Sequence, residues 1–337
     1  MHGRLAVRFL AMNDSPWEAL AAAVREYAAD DEHADDVATL LADLVALQVR
    51  EGRYARFFRP WEARGLHLTP VHFYSPIPDT RLLPPSLWDR ESDLPGVDLK
   101  IDSQLELVRD VFPRYRSEYA RIPIEPTGSE RDFYLSNTIF GGMDALSLYC
   151  MIRHFQPRLV VEVGSGMSSR LIAQAAECNE HTELVSIDPY PDSVVRGGLP
   201  GRTSLIPKRV EEVDLDVFGR LESNDVLFID SSHVVRCGGD VNYLFLEVIP
   251  RLAPGVIVHV HDVFLPREYP EKWMKEELRF WSEQYLLQAF LAFNTEFEVL
   301  LTVNLLSHHH WRDLAEAFPN ARGGGSFWMR RRSEASR

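Results

Sequence analysis

The sequence predicts an α/β fold: a mostly parallel, doubly wound sheet covered on both faces by helices, preceded by an N-terminal helical and extended region. Three observations carry this. From residue 158 onward, short apolar runs alternate with segments of helical period, the pattern of strands buried on both faces. The first run ends in a Gly-x-Gly turn that opens a helix. The runs also end in carboxylates, at the edge where open parallel sheets place their ligands.

Taken in order, residues from about Ser15 to Phe58 alternate Ala, Leu and Val with acids, as in Asp36-Val-Ala-Thr-Leu-Leu-Ala-Asp-Leu-Val-Ala-Leu-Gln-Val49. The helical period predicts two helices, whose apolar stripes serve a core or a contact with a second copy of the chain. From Leu66 to Pro95 proline and aromatic residues accumulate, including Thr69-Pro-Val-His-Phe-Tyr-Ser-Pro-Ile-Pro-Asp79, which excludes regular helix. An extended arm over the ligand edge is expected there, with His72 and Tyr74 as pocket candidates and plain surface packing as the alternative.

The stretch Arg158-Leu-Val-Val-Glu-Val-Gly-Ser-Gly-Met-Ser-Ser-Arg170 is the first strand and its turn. Gly164 and Gly166 allow a tight turn that brings backbone N–H groups near a ligand, and Ser168 is a candidate cap for the helix from Ser168 to Cys178. Glu162, near the end of the strand, is placed to face the crevice and accept hydrogen bonds from a ligand ammonium group; a purely structural corner is the other reading. A dinucleotide fingerprint would have a third glycine where this chain has Ser169, which argues against nicotinamide or flavin.

Thr182-Glu-Leu-Val-Ser-Ile-Asp-Pro189 is the second strand, ending in Asp188, 24 residues after Gly164. That spacing suits a grip on a ribose diol, although Asp before Pro also marks turns. A third strand is expected from Thr203 to Val210, a fourth over Asp225–Asp230, a helix from Gly239 to Leu252 and a fifth strand over Gly255–Asp262. Beyond them lie a long amphipathic helix from about Pro270 to Phe293, a strand from Phe297 to about Leu306 and a last strand over Gly323–Arg330. Glu162, Asp188, Asp230 and Asp262 thereby reach one edge of the sheet.

Glu162-Val-Gly-Ser-Gly166 resembles the first motif of class I S-adenosylmethionine-dependent methyltransferases. Ile229-Asp-Ser-Ser-His-Val-Val-Arg-Cys-Gly-Gly-Asp240 and Ile249-Pro-Arg-Leu-Ala-Pro-Gly-Val-Ile-Val-His-Val-His-Asp-Val-Phe-Leu-Pro266 resemble the acid-x-x-His and His-Asp blocks of their metal-dependent, small-molecule members. Those are the catechol O-methyltransferase-like enzymes and the sugar-tailoring, cephalosporin hydroxylase-type group. The resemblance covers about residues 135–332. It implies a Rossmann-like, seven-stranded sheet whose last strand is antiparallel, with the S-adenosylmethionine-binding domain over 135–332; composition and periodicity divide the rest into helices (1–65), an arm or cap (66–134) and a tail (333–337). It also implies that Leu135–Phe155 forms the helix before the sheet, with Asn137–Gly142 touching the methionine end of the cofactor.

Carried over by position, the resemblance makes Glu162, Gly164, Ser165, Gly166, Ser168, Asp188, Glu211 and Asp230 cofactor contacts. Asp230 and Asp262 fall on divalent-metal ligands, magnesium or manganese, and His233 on the general base. His261 stands where an oxygen ligand is usual, and an imidazole suits manganese, iron or zinc better than magnesium. Strand alternation puts His259 and His261 on one face and Asp262 on the other, so His261 is either a ligand or a supporting residue. The chemistry is coherent without the resemblance: methyl transfer from a sulfonium needs a nucleophile losing its proton, a metal lowers a hydroxyl's pKa, and a histidine titrates near neutrality. A backbone-bonded helix-start role for His233 and a capping role for the aspartates are the plain alternatives.

The implied activity is O-methylation of a small-molecule hydroxyl. Metal-free methylation of a carboxylate, a nicotinamide-dependent oxidoreductase and a cofactor-binding partner without turnover are the other classes. With 36 basic and 50 acidic residues among 337, the net charge is −14, which disfavours nucleic acid as a partner. No run is long and apolar enough for a membrane span, and the first residues lack the layout of a signal peptide. Three scattered cysteines, Cys150, Cys178 and Cys237, fit a reducing cytoplasm. Arg330-Arg-Arg332 reads as a solvated tail, and His308-His-His310 as a loop, since consecutive histidines converge poorly on one ion.

Overall fold

The computed structural model describes residues 16–29, 31–50, 55–67, 69–319 and 321–333. The chain forms two compact units, Met1–Leu83 and Pro84–Arg337. The first holds three helices among its described residues, α1 (Pro16–Tyr27), α2 (Asp31–Arg50) and α3 (Ala55–Glu62), one more than the periodicity suggested. Leu40, Leu41, Leu44 and Leu47 of α2 are exposed. Past α3 the described residues of this unit hold only a 3-10 turn, Thr80–Leu82, and the exposed rings of Phe73 and Tyr74 pack on each other and on His72.

The second unit is built on a seven-stranded sheet: β1 (Leu159–Val163), β2 (Glu183–Ile187), β3 (Arg202–Ile206), β4 (Val226–Ile229), β5 (Ile257–Val260), β6 (Phe297–Thr302) and β7 (Phe327–Arg331). The strand order is β3-β2-β1-β4-β5-β7-β6. The first five strands are parallel, and β7 lies antiparallel between β5 and β6. The chain winds outward from β1 to β3 and returns to β4, so the strand order reverses between β1 and β4. A crevice opens at such a reversal, beyond the carboxyl ends of the strands.

Strict alternation along the strands supplies two apolar layers. Val160, Leu184, Val226, Phe228 and Ile257 face one, shared with Leu148, Met151 and Ile152 of α4 (Gly142–Phe155) and with Leu171 and Ile172 of α5 (Met167–Asn179). Leu159, Val161, Val185, Leu227, Ile229 and Val258 face the other, against Val241, Leu244, Phe245 and Val248. Of the arm or cap expected over 66–134, residues 84–134 belong to this second unit. Phe112, Tyr119 and Phe133 are buried in its first layer, and Trp88 Nε1–H donates to the Tyr269 carbonyl at 2.9 Å.

Several elements differ from expectation, among them β3, which ends at Ile206 and not at Val210. The helix foreseen from Pro270 to Phe293 is broken into Glu271–Lys275 and α6 (Glu283–Leu291). The break is pinned from outside, because the N–H groups of Ser282 and Glu283 donate to the His233 carbonyl at 2.8 and 3.1 Å and Ser282 Oγ accepts from Val235 N–H. β6 stops at Thr302, whose N–H and hydroxyl both donate to the Gln104 side-chain oxygen at 2.8 Å; the chain then turns into α7 (Val303–His309) instead of continuing to Leu306. His308–His310 therefore span a helix end, not a loop, and point apart: His308 contacts the Asn304 carbonyl and His309 the Glu91 carboxylate. β7 starts at Phe327, since Gly325 and Ser326 spend their N–H groups on Asp144. Arg330 and Arg331 lie within β7, with Arg330 paired to Glu298, and are not a solvated tail. Among the described residues no helix is long and apolar enough to cross a membrane, and all three cysteines are free thiols.

Candidate active site

The turn after β1 is built from beneath. Alternation places Glu162 on the same face as Val160, toward α5, and the residue is fully buried. Its two carboxylate oxygens accept from three hydroxyls: Ser168 at 2.7 Å, Ser169 at 2.6 Å and Ser186 at 2.6 Å. Burial raises its pKa to about 7, with the three hydroxyls working in the opposite direction. Glu162 therefore does not face the crevice, correcting the sequence reading; its ligands are the serines. Ser168 likewise neither caps the helix nor reaches the crevice. The capping position of α5 is Gly166, whose N–H donates to Ser169 Oγ at 2.9 Å.

Above that layer an open cleft of about 450 Å³ is lined by Gly164, Ser165, Asp188, Tyr190, Arg209, Glu211, Asp230, Ser231, Ser232, Arg236 and Asp240, among others. Of the expected cofactor contacts it includes Gly164, Ser165, Asp188, Glu211 and Asp230 and leaves out Glu162, Gly166 and Ser168. Gly164 has φ +82°, and a Cβ there would lie 2.1 Å from the Asp230 carbonyl oxygen; only glycine fits. Asp188 accepts from Ser165 N–H (2.9 Å), Ser165 Oγ (2.7 Å) and Tyr190 N–H (2.7 Å), tying the turn to the end of β2. Asp240 does the same for the segment after β4, accepting from Ser232 N–H at 2.7 Å and Ser232 Oγ at 2.6 Å. Asn137, an expected cofactor contact, instead orders its own turn through the Phe140 backbone and the Tyr134 carbonyl.

Beside the cleft the ends of β4 and β5 assemble a charged cluster around Asp230. β5 ends at Val260, and Asp262 takes a left-handed φ of 56°, which swings its carboxylate to the side occupied by His261 instead of the opposite face. His233, also left-handed at φ 59°, brings Nε2 to 3.2 Å from Asp230 Oδ1 and 3.6 Å from Asp262 Oδ2. His261 Nδ1 approaches the same two oxygens at 3.5 and 3.6 Å. Left-handed non-glycine residues cost roughly 1–3 kcal/mol each and gather at functional sites.

Two carboxylates absent from the sequence reading complete the cluster. Glu283, at the start of α6 and buried, accepts at 2.9 Å from His233 Nδ1, and Ser231 Oγ donates to its other oxygen at 2.9 Å. Asp144, in the first turn of α4, lies 3.5 Å from His261 Nε2. Trp281 packs at a tilt against the His233 ring, 4.3 Å between centroids. No local motif marks Glu283 or Asp144; both are brought in by tertiary packing.

The charges are tightly coupled. Burial alone would raise the Asp230 pKa, but His261 and His233 outweigh it and hold the carboxyl well below its usual range. Burial disfavours imidazolium at 233, yet Asp230 and Glu283 reverse this and raise its pKa to about 10. His261 is likewise raised despite burial, chiefly by Asp262 and Asp230. His259, stacked on Phe228 at 4.2 Å, is pushed down by burial. In this arrangement Asp230 and Glu283 together favour the protonated imidazole at 233.

The span from β1 to just past Asp262, residues 161–263, matches a protein family described as a methyltransferase domain. A protein of Archaeoglobus fulgidus described only as uncharacterized is 31% identical over 173 residues, covering 48% of this chain and 76% of that protein. The match puts a methyltransferase domain within the second unit. Solved structures similar to this methyltransferase include PaMTH1 of Podospora anserina with S-adenosylhomocysteine bound (16% identity, 69% of this chain and 94% of that one, TM-score 0.38). The O-methyltransferase TomG of Streptomyces achromogenes, in complex with S-adenosylmethionine, is another (15% identity, 70% and 92%, TM-score 0.36). A methyltransferase of Geobacter sulfurreducens is a third (19% identity, 71% and 100%, TM-score 0.35). Asp230 belongs to both the cleft and the charged cluster.

Proposed function

We propose that this methyltransferase transfers the methyl group of S-adenosylmethionine to a hydroxyl oxygen of a small molecule, with a divalent cation held at Asp230 and Asp262. The observation that carries the reading is the double position of Asp230, which lines the cleft and also faces His233 and His261. A donor in the cleft, its ribose beside Asp188 and its sulfonium toward Asp230, would have its methyl group next to the cluster. The chain's own residues fit a cation: two carboxylates converge, and the buried His261 Nδ1 faces both with no hydrogen-bond partner among the described residues.

When bound, the cation would lower the pKa of a neighbouring hydroxyl. Asp230 and Asp262 would position that hydroxyl in line with the sulfonium carbon, and Gly164 and Ser165 would keep the turn close enough for backbone N–H groups to meet the donor. The oxygen–carbon bond forms as the carbon–sulfur bond breaks, and sulfur keeps the electron pair. The acceptor's proton leaves through the cluster to solvent.

Binding of S-adenosylhomocysteine by calorimetry, followed by transfer of labelled methyl groups to a hydroxylated metabolite pool with and without a chelator, tests the reading. Binding with chelator-sensitive labelling of hydroxyls is expected. Absence of S-adenosylhomocysteine binding would overturn it, and labelling of carboxylates unaffected by chelator would move the reaction to metal-free ester formation.

A further inference from the structure

The cluster holds more than a pair of carboxylates. Asp230 Oδ1, His233 Nε2, Asp262 Oδ2 and His261 Nδ1 form a closed ring of four donor atoms with successive separations of 3.2, 3.6, 3.6 and 3.5 Å. Asp230, His233 and Asp262 each offer a ligand atom within 4.8 Å of the others. An ion bonded at about 2.1 Å keeps neighbouring ligands roughly 3.0–3.4 Å apart, close to the separations along the edges of the ring. His233 and His261 are each 5% exposed, and His261 Nδ1 has no hydrogen-bond partner among the described residues.

Each imidazole also has a carboxylate at its far nitrogen. Glu283 meets His233 Nδ1 at 2.9 Å and is itself fixed by Ser231. Asp144 stands 3.5 Å from His261 Nε2 and is held by the backbone of Gly325 and Ser326. Carboxylates in that position fix the orientation of metal-binding histidines and raise their basicity.

We infer that the cation centre is a mixed nitrogen and oxygen site, with His233 Nε2 and His261 Nδ1 as ligands alongside Asp230 and Asp262, and that it selects a nitrogen-accepting transition metal over magnesium. Magnesium takes oxygen ligands and gives up water reluctantly, whereas imidazole suits manganese, iron, cobalt and zinc. This rests on the cation half of the function proposed above and assigns His233 to the metal in place of the acceptor's proton. Glu283 and Asp144 are positioning residues.

The test uses the full chain, stripped of metal and titrated with magnesium, manganese, cobalt or zinc chloride, and reads calorimetric affinity, melting temperature and the visible d–d absorption of cobalt. Cobalt and manganese are expected to bind at least about tenfold more tightly than magnesium. His233→Ala and His261→Ala should each weaken cobalt about tenfold or more and alter its spectrum. Glu283→Gln, which keeps the shape of the side chain, should weaken it by about 10–100-fold. Magnesium binding as tightly as cobalt, or a cobalt spectrum unchanged in both histidine variants, overturns the assignment. If an alanine variant does not fold, His261→Asn and His233→Asn give the same readout. S-adenosylhomocysteine affinity measured on the same samples separates the two claims: retained cofactor binding without metal selectivity sinks this inference alone, and its loss sinks the methyltransferase reading alone.

Discussion

Gly164 and Asp230 lie so close that a single methyl group on the glycine would sit 2.1 Å from the aspartate's carbonyl oxygen. The contact seals the end of β1 against β4, where Asp230 N–H donates to the Val163 carbonyl at 2.9 Å. Gly164→Ala adds both that clash and a left-handed alanine. It should cost at least about 2 kcal/mol in urea unfolding and remove most S-adenosylhomocysteine binding. A midpoint equal to the parent's would mean the turn yields where the structure shows no room.

Glu162 makes stability depend on pH in a predictable direction. Its folded pKa, about 7, lies above the ordinary value of 4.5, so the native state holds the extra proton between those limits. Stability is greatest below about pH 4.5 as far as this group is concerned and declines as pH rises toward 7, by at most about 3 kcal/mol. Denaturant midpoints measured across that range should fall less steeply in Glu162→Gln. Parallel slopes in the two proteins would count against a raised Glu162.

Removal of the Glu283 carboxylate should be felt at His233. In the metal-free protein the imidazole, at about 10, should remain doubly protonated at pH 7.5 in nitrogen-edited NMR spectra. Glu283→Gln takes away one of its two main supports and should bring the titration down toward neutrality. An unshifted His233 would show that Asp230 alone sets it.

Asp188→Ala deletes acceptors used by Ser165 and Tyr190 as well as a carboxylate lining the cleft. S-adenosylhomocysteine affinity should fall by roughly 10–100-fold, the range expected when hydrogen bonds to a charged group are lost. Unaltered affinity would assign Asp188 to turn structure only.

The fold was legible because its strands obey one rule. Val160, Leu184 and Phe228 take one face while Val161, Val185 and Leu227 take the other, and apolar runs buried on both sides announce a parallel sheet. Asp230, His233 and Asp262 were legible as a motif. The periodicity of Pro270–Phe293 suited a single helix, so nothing local signalled the break that delivers Ser282 and Glu283 to His233. The face of Glu162 could have been read from its alternation with Val160. The side of Asp262 could not, because it depends on a left-handed residue just past the strand's end.

The three serines around Glu162 set the energetic terms on which a ligand meets the turn above them. Ser186 reaches the acid from β2, and Ser168 and Ser169 reach it from the first turn of α5. Strand and helix start are thereby locked together by the chain's own side chains. The loop does not need to be immobilised when a donor arrives, since the loss of its conformational freedom is already met in folding the chain. Ser169, the residue that departs from the dinucleotide fingerprint, is one of the bolts in that frame, and its hydroxyl holds the turn from beneath.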